Sequence, residues 1–516
     1  MYTAAAVPRA RSLVTDCPPA LTAVRRCPRA ALIMWRFARC LRSGLWLSPR
    51  VWTWSCKAFA HGPGPALSFS DGKAFRLKSG WEVVRGLLIF RLCSVPTLVR
   101  NSDKLLSVAR RLLGRRLFEW GMRGSVYGQF VAGETLPEIR ACTERLALLG
   151  IRPMLAVPIE EDLGESKSGE RWYEQNEEIM LKCVDLSSAG GDRPMMQLKI
   201  TALMSADLCK VLSVCLSDPS QRPALSPQRI VSIMGGQDPA FPFLSDEQNR
   251  HLQTAVRRLS RVGKHAKAKR VRVLVDAEYT YVNPALSLVT MAMMAQSNTD
   301  EPWIWNTYQC YLKHSYKNLT QDLRTADTLG LCFGVKLVRG AYMEKERKLS
   351  KEKGYRDPVQ PDWAATNRSY QQSLDHLLEL IAQDGAKHNL IVASHNEESV
   401  LHAAHRMAEL GIGGSGGAVC FGQLLGMCDH VSLTLGRLVW VSVSPRGTPG
   451  GADVSPLSSS GQAGYLVYKS IPYGSVDSVI PYLVRRAQEN QSVLQGIRKE
   501  RDLLRRELRR RLLCRS

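Results

Sequence analysis

The chain has 516 residues, 45% hydrophobic and 23% charged, with a formal net charge of +23 at pH 7. That length buries a large core and stands near the upper size of a single barrel domain with additions, while no uninterrupted apolar run reaches the length of a membrane-spanning helix. Fourteen cysteines without paired C-x-x-C spacing argue against a zinc site or a disulfide framework and for reduced, structural thiols.

Residues 1–70 carry ten Arg or Lys against one acid, Asp16. An Arg-rich, acid-poor segment whose apolar pieces are broken by Arg is the pattern of a mitochondrial transit peptide and not of a secretory signal. It is expected to be disordered. Residues 71–150 read as a helical arm, in which Thr135 and Glu138 form a capping pair ahead of an apolar stripe.

From residue 151 to about 495, short apolar runs alternate with longer helical patterns, which argues for a parallel α/β sheet. Eight candidate strands fall at 152–158, 196–203, 271–278, 304–309, 333–340, 390–395, 418–423 and 465–472. Eight such units close a barrel, with a doubly wound open sheet as the alternative. In a barrel, chemistry collects at the C-terminal ends of the strands. There the sequence places Asp276, Glu278, Gln309, Arg339, Ser394, His395, Gln423 and Ser470. The G-x-G-x-x-G within 411–417 follows a helix and precedes a strand, the reverse of a dinucleotide fingerprint, so it reads as a loop. The Gly/Pro/Ser-rich stretch 437–460 lacks periodicity and reads as a disordered insertion in an αβ loop, on the face away from the chemistry.

Residues 468–490 hold the densest chemistry. A strand end and a turn at Gly474 lead into an amphipathic helix capped by Ser475 or Ser478, with Asp477 in its first turn. On that helix Tyr482, Arg485, Arg486 and Glu489 stand at i, i+3, i+4 and i+7, on one face. Two adjacent guanidiniums beside a tyrosine suit a small carboxylic acid, which Arg grips through parallel hydrogen bonds. A solvated charged face is the competing reading. Residues 496–516 form a second basic block with Leu503, Leu504, Leu508 and Leu512 at helical spacing. That fits a surface helix, or one lying on an anionic membrane. The block lacks the aromatic residues on which nucleic acid bases would stack.

The run YKSIPYGSVDSVIPYLVRRAQEN at 468–490 resembles the C-terminal signature of the proline dehydrogenase (proline oxidase) family. KLVRGAY at 336–342, ASHNE at 393–397 and FGQLLGM at 421–427 resemble that family too, in the expected order, so the likeness covers roughly residues 120 to 495. It implies an α/β fold, a distorted (β/α)8 TIM-like barrel with N-terminal helices and a C-terminal helix over the mouth. It further implies FAD held by that mouth, with contacts from Gln309, Lys336, Val338, Gly340, Ser394, His395 and Asn396. The substrate pocket is implied to contain Lys199, Asp276, Tyr342, Tyr482, Arg485 and Arg486, with Glu489 nearby. Arg485 and Arg486 would clamp a carboxylate, Tyr342 and Tyr482 would cover a pyrrolidine ring, and Lys199 and Asp276 would form an ion pair. Lys336 would lend positive charge to a reduced flavin, and Gly340 would let backbone approach a ring closely.

The same resemblance implies hydride transfer from the carbon beside the ring nitrogen to flavin N5, with electrons passed on to a quinone such as ubiquinone at the mitochondrial inner membrane. Proline-preferring members carry Tyr where this chain has Ser470. Serine opens room beyond the ring's C4 and offers a hydroxyl partner. The expected substrate is therefore trans-4-hydroxy-L-proline, oxidised to 1-pyrroline-3-hydroxy-5-carboxylate. L-proline, or an inactive barrel used as a binding module, are the alternatives. No metal and no nucleic acid partner are expected.

Overall fold

Eight parallel strands close on themselves in chain order: β1 (Arg152–Ala156), β2 (Met195–Leu198), β3 (Arg272–Val275), β4 (Ile304–Gln309), β5 (Phe333–Val338), β6 (His388–Ala393), β7 (Val419–Leu424) and β8 (Leu466–Pro472). β8 pairs back onto β1, with Ser470 beside Met154. That closure excludes the open sheet. The computed structural model describes residues 67–70, 72–159, 169–441, 464–492 and 494–513, so residues 1–66 of the transit-like segment lie outside the described residues, while Phe69 near its end is buried in the main core and departs from the expected disorder. Of the expected insertion, residues 437–441 continue the helix Asp429–Val441; the rest is likewise outside.

Alternation along the strands decides what fills the barrel. Met154, Met195, Leu274, Trp305, Ile391, Cys420, Leu466 and Tyr468 form one buried cluster inside it. Trp305 lies against Gly334 of β5, where any Cβ would come within 2.3 Å of the indole. This layer is the floor. Two residues further along each strand, the same parity brings Ala156, Gln197, Asp276, Thr307, Lys336, Ala393, Gly422 and Ser470 to the wall of a cavity above it. β2 and β3 end sooner than the sequence pattern suggests, so Lys199 and Asp276 sit just past the ladder; Lys199 opens a turn of 3-10 helix at Ile200–Ala202.

The N-terminal arm is helical as expected: Gly80–Cys93, Pro96–Arg100, Ser102–Gly124, Val126–Phe130 and Leu136–Leu148. Glu138 accepts hydrogen bonds from the backbone N–H groups of Glu134 (2.8 Å) and Thr135 (3.0 Å), and with Thr135 forms the predicted capping box. The arm's buried side chains, among them Ile89, Phe118, Met122 and Phe130, pack on Val476, Val479 and Leu483 of the helix Val476–Ser492. The Tyr127 hydroxyl donates to the carbonyl of Gly474 (2.8 Å), whose N–H donates to Gly133 (2.9 Å). With φ at +143°, Gly474 makes a turn that a side chain would strain. The arm thus holds Val476–Ser492 over the cavity.

The helix Leu494–Leu513 is basic, and most of its apolar side packs into the protein. Leu503 and Leu504 are buried in the main core, and the helix packs against Gly80–Cys93. The leucine spacing reports a core contact, with Leu512 alone of the four left exposed.

Candidate active site

A cavity of about 1050 Å³ opens at the C-terminal ends of the strands, at the top of the size range of small-molecule pockets. Fourteen of the sequence-derived site residues line it. Gln309, Lys336, Val338 and Gly340 come from β4, β5 and the turn after β5. Ser394, His395 and Asn396 follow β6, Lys199 and Asp276 follow β2 and β3, and Tyr342 leads the helix Met343–Lys353. Ser470 comes from β8, and Tyr482, Arg485 and Arg486 from the helix above. The side chain of the last, Glu489, lies outside the described residues.

The ion pair falls elsewhere than the sequence suggested. Asp276 pairs with Lys336, whose Nζ stands 2.7 Å from Oδ1, while the Lys199 ammonium donates to the carbonyl of Ile159 (3.4 Å). The reason is the barrel's parity: Lys336 of β5 and Asp276 after β3 point inward at one level on either side of β4, whereas Lys199 stands one step further along its strand direction, where the chain has turned into the 3-10 helix Ile200–Ala202. Lys336 therefore carries a partnered charge, and its field on anything bound beside it is weaker than that of a lone ammonium.

Sequence reasoning missed Gln197. Its amide nitrogen donates to Asp276 Oδ1 (3.4 Å) and its oxygen accepts from the Ser470 hydroxyl (2.5 Å). A continuous line of polar contacts, Ser470 to Gln197 to Asp276 to Lys336, thus crosses the wall. Because Ser470 donates to Gln197, its oxygen is turned to accept from whatever lies above it. The clue was available, since Gln197 precedes Lys199 by two and must share its face.

The other residues divide by what their polar atoms already do. Gln309 donates to the carbonyl of Glu278 (3.1 Å) and accepts from Asn283 (2.9 Å), so its amide is engaged by the loop after β3. Asn396 caps the helix Glu397–Glu409 through the Ser399 N–H (2.8 Å). Ser394 accepts from the N–H of Asn396 (3.1 Å), leaving its hydroxyl proton to donate. At Gly340 the close ring is the protein's own, since a Cβ there would lie 2.5 Å from the Tyr311 ring. Tyr342 packs on Tyr279 with ring centroids 4.5 Å apart, and the Arg486 guanidinium stacks 4.9 Å from the Tyr482 ring.

His395 accepts a hydrogen bond at Nε2 from the Leu424 N–H (3.1 Å), which assigns the ring proton to Nδ1, facing away from that bond. Burial, with the nearby charges of Lys469 and Arg486, pushes its pKa down to about 3. The imidazole is neutral at any physiological pH. His395→Gln is therefore expected to leave the pH midpoint of turnover unmoved, even where it lowers the rate; a displaced midpoint in a kcat/KM profile would assign the titration to this histidine.

The donor set tests what a flavin would meet. A hydroxyl at Ser394, an N–H at His395, the N-terminus of Glu397–Glu409, and the cations Arg339 and Lys499 line one stretch of the wall. Hydroxyls of a ribityl chain and the oxygens of a pyrophosphate both fit such donors. Arg339 is held between Trp363 and Tyr370 and bonded to Ser399 and Asn367. Among the described residues, no group of three or more His, Cys, Asp or Glu is placed to hold a metal, and the nine cysteines are free thiols.

The family model described as proline dehydrogenase matches residues 159–499. The hydroxyproline dehydrogenase of Xenopus laevis is 72% identical over 474 residues, covering 92% of this chain and 96% of that protein. The human hydroxyproline dehydrogenase is 50% identical, over 87% of this chain and 94% of its own. Human proline dehydrogenase 1, mitochondrial, is 33% identical over 87% and 90%. Among solved structures, proline utilization A from Bdellovibrio bacteriovorus, inactivated by N-propargylglycine, superposes with a TM-score of 0.54 at 18% identity. It covers 84% of this chain and 40% of that longer one, a likeness of fold.

Proposed function

The chain belongs to the proline dehydrogenase family, and from that premise we propose that it oxidises trans-4-hydroxy-L-proline to 1-pyrroline-3-hydroxy-5-carboxylate with FAD as cofactor and a quinone as electron acceptor. The observation that carries the reading is the sharing of one cavity by Arg485, Arg486, Ser470, Lys336 and His395. FAD bound there would supply the hydride acceptor for the C–H bond beside the ring nitrogen. Arg485 and Arg486 hold the substrate carboxylate by charge-assisted hydrogen bonds. Tyr342 and Tyr482 cover the ring and keep water out. Ser470, with its proton committed to Gln197, accepts from the 4-hydroxyl. The amine must be neutral for hydride to leave, so turnover rises with pH.

The barrel within 151–495 is the catalytic unit of this reading, and the arm and last helix are its buttress. A mitochondrial site of action, with ubiquinone as acceptor and peripheral contact with the inner membrane from the matrix side, agrees with the basic N-terminus and with the name of the human relative at 33% identity.

Absorbance in the flavin bands of the purified protein, bleached by hydroxyproline and by proline side by side, tests the proposal. Faster bleaching by hydroxyproline is expected. Ser470→Tyr should shift the ratio of kcat/KM toward proline by about 10- to 100-fold. An unchanged ratio would remove Ser470 as selector, and faster bleaching by proline in the wild type would make L-proline the substrate. A colourless protein that takes up no flavin would leave only the binding-module reading.

A further inference from the structure

The arm presents a second surface that the cavity does not use. On Gly80–Cys93, Trp81, Val84, Leu88 and Leu92 fall at i, i+3, i+7 and i+11, one stripe opposite the buried Val83, Ile89 and Phe90. Trp81 is 59% exposed. On Ser102–Gly124, which bends at Gly114 (φ +68°), Leu105, Val108 and Leu112 stand at i, i+3 and i+7 before the bend; Leu113, Leu117 and Trp120 stand at i, i+4 and i+7 across it. Leu112 is 80% exposed and Trp120 77%. So many large apolar side chains on neighbouring helices exceed the scatter normal for a protein surface.

Resting on the peripheral membrane contact proposed above, we propose that this face of the arm is the surface that makes it, docking on an anionic phospholipid bilayer. Residues 80–123 contain nine Lys or Arg and three acids. Arg111 and Arg116 are exposed beside the apolar stripe, where long side chains can reach headgroup phosphates while the leucines enter the acyl boundary. Tryptophans at the edge suit the same depth. A second copy of the chain fits less well, because a two-fold contact would press this excess of positive charge against itself. Among the described residues no helix is long and apolar enough to cross a membrane, so the contact is peripheral. Through its buried side the arm grips Val476–Ser492, which brings the cavity mouth close to the bilayer, where a lipid-soluble electron acceptor resides.

The test is sedimentation of the full chain with vesicles, a readout independent of turnover and hence of the substrate assignment. Binding to vesicles of equal parts phosphatidylcholine and phosphatidylglycerol is expected, with little binding to phosphatidylcholine alone and release by salt. Leu112→Ser with Trp120→Ser should weaken partitioning by at least about tenfold, and Arg111→Gln with Arg116→Gln by roughly tenfold. Both variants should keep the wild-type melting temperature, since all four side chains are exposed. Equal binding to neutral vesicles, no binding, or undiminished binding by the variants would each overturn the proposal. So would a wild-type dimer that Trp120→Ser converts to monomer, which would make the face a subunit interface.

Discussion

Arg486→Ala lowers kcat/KM for the imino acid by about two to four orders of magnitude, because a hydrogen bond to a charged group is worth about 1.5–3 kcal/mol and a guanidinium makes two to a carboxylate. The cost is set by the surroundings. Arg486 is half-buried, stacked on Tyr482, and close enough to His395 to depress its protonation. In that setting the loss is not made up by water as it would be at an open surface. Arg486→Lys should recover only part of the rate, since an ammonium is a point charge without the planar fork. Pyrrolidine, which has the ring but no carboxylate, separates the clamp from general damage. Its slow flavin bleaching should be the same in wild type and variant. If Arg486→Ala harms pyrrolidine as much as hydroxyproline, the guanidinium is holding the site together rather than the substrate. Arg485→Ala should behave alike.

Much of this site was legible before any coordinates, and for a simple reason. Strand residues alternate, barrels put their chemistry at one end, and polar residues at the ends of apolar runs have nowhere else to go. That logic found all eight strands and brought Lys199, Asp276 and Ser470 to one cavity. What it could not supply was pairing across the barrel. Which ammonium reaches Asp276 depends on the stagger between strands three and five places along, and that stagger put Lys336 there and sent Lys199 to Ile159. Gln197 was passed over because a glutamine inside an apolar run carries no charge to attract notice, although its parity gave it away. The Leu-rich C-terminal block was legible as a helix, Leu494–Leu513, but not in its partner. Helical spacing of leucines says that one face is covered, not what covers it, and here Gly80–Cys93 does so.

Asp429→Asn is expected to cost about 3–5 kcal/mol of stability, the usual cost of stripping one partner from a buried ion pair. Lys469, 1% exposed, points its ammonium at Asp429 Oδ1 (2.7 Å) and at the carbonyls of Leu424 (3.0 Å) and Met427 (2.5 Å). Lys78, from the start of the arm, binds the other carboxylate oxygen. Burial alone would raise the carboxyl's pKa, yet the two ammoniums hold it well below the usual carboxylate range. Glu500 of the last helix accepts from the N–H groups of Cys428 and Asp429 (2.8 Å each). The cluster therefore joins the arm, β8, the loop after β7 and the C-terminal helix. With the carboxylate gone, Lys469 and Lys78 keep their charges and lose their counter-ion, and thermal melts of the full chain should drop by roughly 3–5 °C. Because the folded pKa is depressed, this stabilisation is whole above the unfolded carboxyl value near 4 and fades as the pH falls further. The gap between wild type and Asp429→Asn should close in acid accordingly. Lys469→Met added to Asp429→Asn removes the more deeply buried of the two stranded charges, with Lys78 still present, and should restore part of the loss. If the double variant is no more stable than the single one, or the single one melts with the wild type, the cluster is not what ties the arm to the barrel.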